Sequence, residues 1–278
     1  MPEICVVHLV WGPLGAAQLA QFIASYREHD AGVAHDLLLV FKEVEGAGEL
    51  AAYEALLEGI SYKSLSLGGA GFDLLPYFVA ARQFDYRYFC FLNSYSVILA
   101  GGWLRRLSEH LQRGAGVVGA TGSWESYYTN LARSRPRVGV RHLRSGVNDY
   151  FAWRRNLREA RAQFDPFPNA HLRTNCFALA RELMLELAFR GEAVKMDSLR
   201  FESGREGLTR QVAARGLPVL IVGRDGAAYA QDRWRDSRTF RSGGQSNLLV
   251  ADNRTRQYAD ADAPTRVFLE RCAWGAES

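Results

Sequence analysis

The chain has 278 residues, 48% hydrophobic and 23% charged, with a formal net charge of +4 and a pI near 8.9. That balance excludes a disordered or fibrous chain and suits one large α/β domain or two small ones. The mildly basic charge favours anionic partners such as nucleotides, phosphorylated lipids or acidic membrane surfaces, and is equally compatible with no charge-driven partner at all.

The first half alternates strand and helix. Ile4 to Val10 is an apolar run of strand length, broken by Trp11-Gly12-Pro13-Leu14-Gly15, and Ala16 to His29 carries Leu19, Phe22, Ile23 and Tyr26 at helical spacing. Asp36 to Val44 reads as a second strand, Glu49 to Glu58 as a short helix and Lys63 to Leu67 as a third strand. A flexible turn at Gly68-Gly69-Ala70-Gly71 leads into a helix over Phe72 to Phe84, and Tyr86 to Leu92 is the fourth strand. Trp103 to Arg113 is helical, and Gly116 to Thr121 is strand-like. Such alternation predicts the α/β class: a mainly parallel central sheet flanked by helices.

From Trp124 to Phe167 no clean strand is visible. Arg133, Arg135, Arg137, Arg141, Arg144, Arg154, Arg155, Arg158 and Arg161 meet few acids there, interleaved with Tyr127, Tyr128, Tyr150, Phe151 and Trp153. This is an inserted helical segment with a basic face, either simply solvated or facing phosphates or an anionic membrane. His171 to Leu179 returns to strand character, Arg181 to Phe189 and Leu208 to Arg215 are helices, and Leu217 to Val222 is a strand. The tail is polar and turn-rich until a last helix near Thr265 to Trp274. Cys5, Cys90, Cys176 and Cys272 form no CxxC pair, which argues against a zinc knuckle or redox motif. No apolar run approaches the ~20 residues that span a bilayer, and the N-terminus lacks a basic region before an apolar stretch. The expectation is a cytoplasmic protein.

Two stretches carry the chemistry. The fourth strand stops on Asn93-Ser94-Tyr95-Ser96, and ligands gather where parallel strands end. The tetrad can hydrogen-bond but brings no carboxylate, so it makes a poor site for a divalent cation. The second stretch, Met196 to Thr209, is read as placing acids just before a helix. Glu202, with Asp197 as second choice, is the candidate base for deprotonating a sugar hydroxyl; the plain alternative is charge pairing at a helix end, which suits Glu206. Asp73 is either a helix cap or a contact to a base or ribose. GxGxxG is absent and no acid ends the second strand cleanly, so a dinucleotide site has little support. The six histidines form no HxH or HxxxH pair, and no GxSxG elbow exists.

In this order the motifs resemble GT-A-fold glycosyltransferases, similar to family-2 enzymes that build bacterial polysaccharides, rhamnan-type transferases among them. The resemblance runs from Ile4 to Gly226. It implies that Val7 to Gly12 holds the nucleotide base and that a Gly-containing turn and helix follow at Gly69 to Ala81. An apolar strand should then end in an Asp-x-Asp motif for metal and diphosphate, where this chain has Leu92-Asn93-Ser94-Tyr95-Ser96. With Asn93 and Tyr95 in place of both aspartates, no metal ligands are assigned, and a Mg2+ or Mn2+ cofactor is disfavoured. By the same resemblance Trp11, Gly12 and Asp73 contact base or ribose, and Asn93, Ser94 and Tyr95 contact ribose or diphosphate. Glu202 takes the acceptor proton in an inverting displacement. His171 to Phe177, including Asn175, shapes the acceptor pocket, and Arg173, Arg205 and Arg224 are the candidates to stabilise the leaving group.

The implied activity is hexosyl or deoxyhexosyl transfer from a nucleotide-diphosphate sugar to a glycan or lipid-linked acceptor. Peripheral membrane contact through the Arg-rich insertion is an open alternative, and no nucleic acid is expected as partner. The implied organisation is one domain over residues 1–278: a nucleotide-sugar half (1–123), the basic insertion (124–168), and an acceptor-side half with the tail (169–278). Loss of both aspartates also admits a catalytically inactive nucleotide- or carbohydrate-binding partner. A nucleotidyltransferase is third, since Trp11 to Gly15 carries no lysine or arginine.

Overall fold

The computed structural model describes residues 2–44, 47–69, 72–136, 143–191 and 193–276, the side chains of 47–50 and 143–148 apart. Ala70 and Gly71 of the expected glycine turn, and Arg137 and Arg141 of the basic insertion, lie outside the described residues.

The first strand, β1 (Ile4–Trp11), is buried along its whole length except at Trp11. A strand covered on both faces needs a continuous apolar run rather than an alternating one, which is what Ile4 to Val10 supplies. It is an interior strand of an eight-stranded sheet, third from one edge. On one side it pairs in parallel with β2 (Asp36–Lys42), which pairs in parallel with β3 (Lys63–Leu67). On the other side it pairs in parallel with β4 (Tyr88–Leu92). Beyond β4 the order is β9 (Cys176–Ala180), β6 (Val117–Gly119), β10 (Val219–Val222) and β11 (Ala228–Tyr229). β9 runs antiparallel to both neighbours and β11 closes the edge antiparallel to β10. The α/β class read from the sequence is the class observed.

Alternate residues of β1 feed two cores. Ile4, Val6 and Val10 meet α1 (Ala16–Glu28) through Leu19, Phe22 and Ile23, and α4 (Trp103–Gln112) through Trp103, Leu104 and Leu107. Cys5, Val7 and Leu9 face α3 (Leu74–Gln83) through Leu74, Tyr77 and Phe78. The same core takes in Met184 of α7 (Arg181–Glu186), Phe201 of α8 (Lys195–Ser203) and Val212 of α9 (Leu208–Ala214). Three layers result, with helices on both faces. The remaining helices are α2 (Ala47–Leu56), α5 (Tyr127–Arg133), α6 (Leu143–Gln163), α10 (Asn253–Ala259) and α11 (Ala263–Trp274).

Three sequence readings need correction. The single strand expected over His171 to Leu179 is two: β8 (His171–Leu172) pairs with β7 (Gly122–Ser123) in a separate ribbon, and β9 enters the main sheet after a break at residues 173–175. Met196 to Glu202 does precede the helix expected from Leu208, here α9, but it is itself helical as α8, and Glu202 stands near the C-terminal end of α8. Its charged, weakly amphipathic sequence hides the periodicity that marks a helix. The tail also holds a second ribbon, β12 (Val250–Ala251) against β5 (Val97–Ile98), too short to read from two residues per strand.

His8 is fully buried in β1, its ring stacked on Phe22 at 3.7 Å. Burial pushes its pKa down from 6.5 to about 3, so it is neutral in the fold. The unfolded chain takes up that proton first. His8's share of stability is therefore full above the ordinary histidine value and is lost progressively as pH falls towards about 3. His8→Gln is expected to flatten this acid limb, where the wild type loses up to about 1.4 kcal/mol per pH unit. Thermal melts of both proteins across mildly acidic pH check it, and parallel acid limbs would contradict it.

Candidate active site

The carboxyl ends of β1, β2 and β4 share one edge of the sheet, and the reversed β9 brings its amino end to the same edge. Leu92 lies opposite Cys176, His8 opposite Leu92, and Trp11 opposite Lys42. Two of the loops at this edge are pressed together. A Cβ on Gly12 would sit 2.0 Å from the Glu43 carbonyl oxygen, so glycine there lets the turn after β1 touch the turn after β2. Trp11 Nε1 donates to Glu43 Oε2 at 3.0 Å, and buried Lys42 donates to Oε1 at 2.7 Å. Hydrogen bonds from Lys42 and then Trp11 hold the Glu43 carboxyl below its usual range. Glu43 adopts φ +55°, a left-handed conformation uncommon outside glycine, which turns the chain straight out of β2. An acid does therefore end the second strand, against the sequence reading. The continuous Leu-rich run masked where the strand stops.

At the β4 tip Asn93 is committed to the turn. Its Oδ1 accepts from Tyr95 N–H and from Ser96 Oγ–H, both at 3.1 Å, while Ser96 N–H donates to the Asn93 carbonyl. This is an Asx-type turn, in which the side chain replaces a backbone acceptor. Asn93 N–H donates across to the Asn175 carbonyl at 3.0 Å, and the Ser96 hydroxyl reaches the same oxygen at 3.3 Å. Ser94 is buried and Tyr95 half-buried.

The break between β8 and β9 supplies the other wall. Arg173 N–H donates to the Thr121 carbonyl, and Leu172 N–H to Thr209 Oγ1. The Arg173 guanidinium is buried, donating to Asp252 Oδ2 at 2.6 Å and to Thr121 Oγ1 at 3.2 Å, and lies 4.3 Å from the centre of the Phe240 ring. Burial raises the Asp252 carboxyl, but Arg173's charge and hydrogen bond, with donors from Thr255, outweigh it and hold the pKa below the usual range. Asn175 Oδ1 accepts from Thr121 Oγ1 at 2.6 Å, leaving the buried Nδ2 with no acceptor among the described residues. A buried donor without a partner costs roughly 1–3 kcal/mol, a polar cost carried directly beside the β4 tip. Thr174 donates through both N–H (2.8 Å) and Oγ1 (2.5 Å) to Glu202 Oε2. Glu202 is half-buried, and its other oxygen has no hydrogen bond among the described residues.

The structure thus brings Trp11, Gly12, Asn93, Ser94, Tyr95, Arg173, Asn175 and Glu202 to one edge. Other candidates stand elsewhere or are occupied. The Asp197 carboxylate accepts from Ala193 and Val194 N–H and pairs with Arg200, so it serves the first turn of α8. Asp73 stands before α3 but makes no side-chain cap, against the capping reading. Arg205 pairs with Asp165 on the exposed surface. Arg224 follows β10, two strands beyond β9, and its side chain has no ion pair among the described residues. Glu206 pairs with exposed Arg190 rather than with a helix end. Lys42 and Glu43 are the site residues that sequence reasoning missed, and Asp252 is hidden in the turn-rich tail.

A divalent cation does not fit the β4 tip. The tip offers an amide, two hydroxyls and a phenol, and the amide oxygen already accepts two hydrogen bonds. Among the described residues no three histidines, cysteines or acids converge as a metal site.

No protein-family model matches the chain, and no curated protein matches it. Solved structures do show likeness. The mannosyltransferase PcManGT from Pyrobaculum calidifontis, in complex with GDP-Man and Mn2+, aligns at a TM-score of 0.48 and 14% identity over 86% of this chain. This chain spans 60% of the mannosyltransferase's length. The 4-diphosphocytidyl-2C-methyl-D-erythritol synthase from Anaerococcus prevotii aligns at 0.44 and 14% identity, covering 80% of this chain and 88% of the other. S. aureus TarS aligns at 0.35 and 14% identity, covering 46% of this chain and 26% of the other. At these scores none of them fixes the role of a residue here.

Breaking the Arg173–Asp252 pair from one side leaves a buried charge alone, which costs about 3–5 kcal/mol. Arg173→Met is expected to lose stability on that scale in urea unfolding, and Arg173→Met with Asp252→Asn to recover part of it. A double variant as unstable as the sum of the two single changes would show that the pair is not coupled.

Proposed function

We propose that the chain is a GT-A-like glycosyltransferase, folded as one domain, that moves a sugar from a nucleotide-diphosphate sugar to a hydroxyl of a glycan or lipid-linked acceptor. The observation that carries this is the shared break after β8. Thr174 orients the Glu202 carboxylate, and the adjoining Asn175 joins the β4 tip.

In this reading the nucleotide lies over the β1 and β2 ends. Glu43, gripped by Trp11 and Lys42, accepts hydrogen bonds from ribose hydroxyls, which an acid at a second strand's end is placed to do. The diphosphate meets Ser94 and the Asn175 amide. The free oxygen of Glu202 removes the acceptor's hydroxyl proton as that oxygen attacks the anomeric carbon. The bond from that carbon to the diphosphate breaks on the opposite side, giving inversion and a free nucleoside diphosphate. Charge developing on the leaving group falls to fixed donors rather than to carboxylate-bound metal.

Release of nucleoside diphosphate from a panel of sugar nucleotides tests the reading. Turnover is expected to survive excess chelator, and Glu202→Gln to lower it by about 10²–10⁴-fold with donor affinity retained. Donor binding without turnover across a broad donor and acceptor panel would instead identify a binding partner of an active transferase. The committed Asn93 side chain is the observation favouring that second reading.

The basic insertion is proposed as a peripheral membrane contact. Along α6, Phe151, Arg155 and Arg158 recur at helical spacing and are all exposed, Phe151 by 63%. No helix among the described residues is long and apolar enough to cross a membrane. Phe151→Ser is expected to weaken co-sedimentation with phosphatidylserine vesicles, and added salt to abolish it. Binding indifferent to both would leave α6 an ordinary solvated surface.

A further inference from the structure

A cavity of about 440 Å³ opens between the loop at residues 235–243 and α11, and no residue of the β1 or β4 tip lines it. Three arginines, Arg235, Arg238 and Arg241, line it with Ser242 and the wall of Trp274. Two acids line it as well, but each is engaged: Asp236 accepts from Arg233, and Glu270 accepts from the Tyr258 hydroxyl.

Arg241 is the anomaly. Its side chain is 6% exposed, its Nη1 reaches Glu125 at a long 3.3 Å, and its Nε–H is buried with no acceptor among the described residues. Trp274 Nε1 donates to the Phe240 carbonyl, and the Arg241 guanidinium lies 4.9 Å from the centre of the Phe240 ring. The cation is thus fixed in the cavity wall between Glu125 and Phe240. Arg238 stands exposed at the mouth, with no ion pair among the described residues. Guanidinium groups suit an oxyanion, and several arginines around one space suit a phosphate better than a single carboxylate. The volume exceeds what a phosphate alone fills, since one water occupies about 30 Å³ of liquid, so the ligand carries more than its charged group.

We propose that this cavity binds a phosphate-bearing sugar. Resting on the transferase reading, that sugar belongs to the acceptor. Phe240 joins the two regions, because the Arg173 guanidinium lies on the same ring at 4.3 Å and its chain neighbour Thr174 holds Glu202.

Isothermal titration at fixed ionic strength tests it with inorganic phosphate, glucose 1-phosphate, glucose and glucuronate. Saturable binding of phosphate and tighter binding of glucose 1-phosphate are expected, with at least about tenfold loss in Arg238→Ala. Arg238 is exposed, so that variant keeps its fold, which a thermal melt verifies; Arg241→Lys gives a second reading of the same site. Glu202→Gln is expected to bind phosphate as the wild type does. Phosphate binding undiminished in Arg238→Ala, glucuronate binding as tight as glucose 1-phosphate, or no saturable binding would overturn the proposal. Phosphate binding lost in Arg238→Ala, in a protein inert towards every sugar nucleotide, would keep the site and remove the transferase.

Discussion

One reversed strand organises the functional edge. β9 runs against β4 and β6 in the middle of an otherwise mainly parallel sheet, so its amino end reaches the edge where β1, β2 and β4 finish. The chain must then leave the β7–β8 ribbon and enter the sheet within three residues, Arg173 to Asn175. Such a break exposes backbone groups that must be satisfied, and three of them are met by partners from distant parts of the chain. Thr121 takes the Arg173 amide, Glu202 takes that of Thr174, and the Asn175 carbonyl takes donors from the β4 tip.

The buried Arg173–Asp252 pair secures that break to the tail. Asp252 also caps α10 through Thr255, so the pair ties the start of α10 to the carboxyl edge, beside the β12–β5 ribbon. Buried ion pairs contribute little net stability against apolar replacements but are costly to break from one side. The pair therefore fixes where the tail sits more than it stabilises the fold. Glu125 and Arg241 repeat the device more weakly a short distance away, through the face of Phe240.

Much of this was legible in the amino-acid pattern, for physical reasons. Ile4 to Val10 and Phe89 to Leu92 are uninterrupted apolar runs because their strands are buried on both faces, and that signal survives without any partner being known. The polar stop at Asn93 was visible for the same reason. What stayed hidden depends on contacts between distant residues. Glu202 was found, but its helix was not, since Lys195 to Ser203 lacks a clear apolar stripe. Glu43 was passed over because only its left-handed backbone and the approach of Gly12 turn it towards Trp11. Asp252 looked like one more charge in a polar tail, and only burial against Arg173 distinguishes it. Arginines counted by order of occurrence were the poorest guide: Arg173 is spent on structure, Arg205 on Asp165, and Arg241 was not among them.

The central proposal is that the carboxyl edge of the sheet, where the β1 and β4 ends meet the start of β9, receives a nucleoside diphosphate. Hydrogen–deuterium exchange with and without a panel of nucleoside diphosphates tests it most directly. The account predicts that at least one of them slows exchange together at Trp11 to Gly15, at Asn93 to Ser96 and at Thr174 to Cys176. Protection confined to the opposite edge, or to one of these segments without the others, would contradict it.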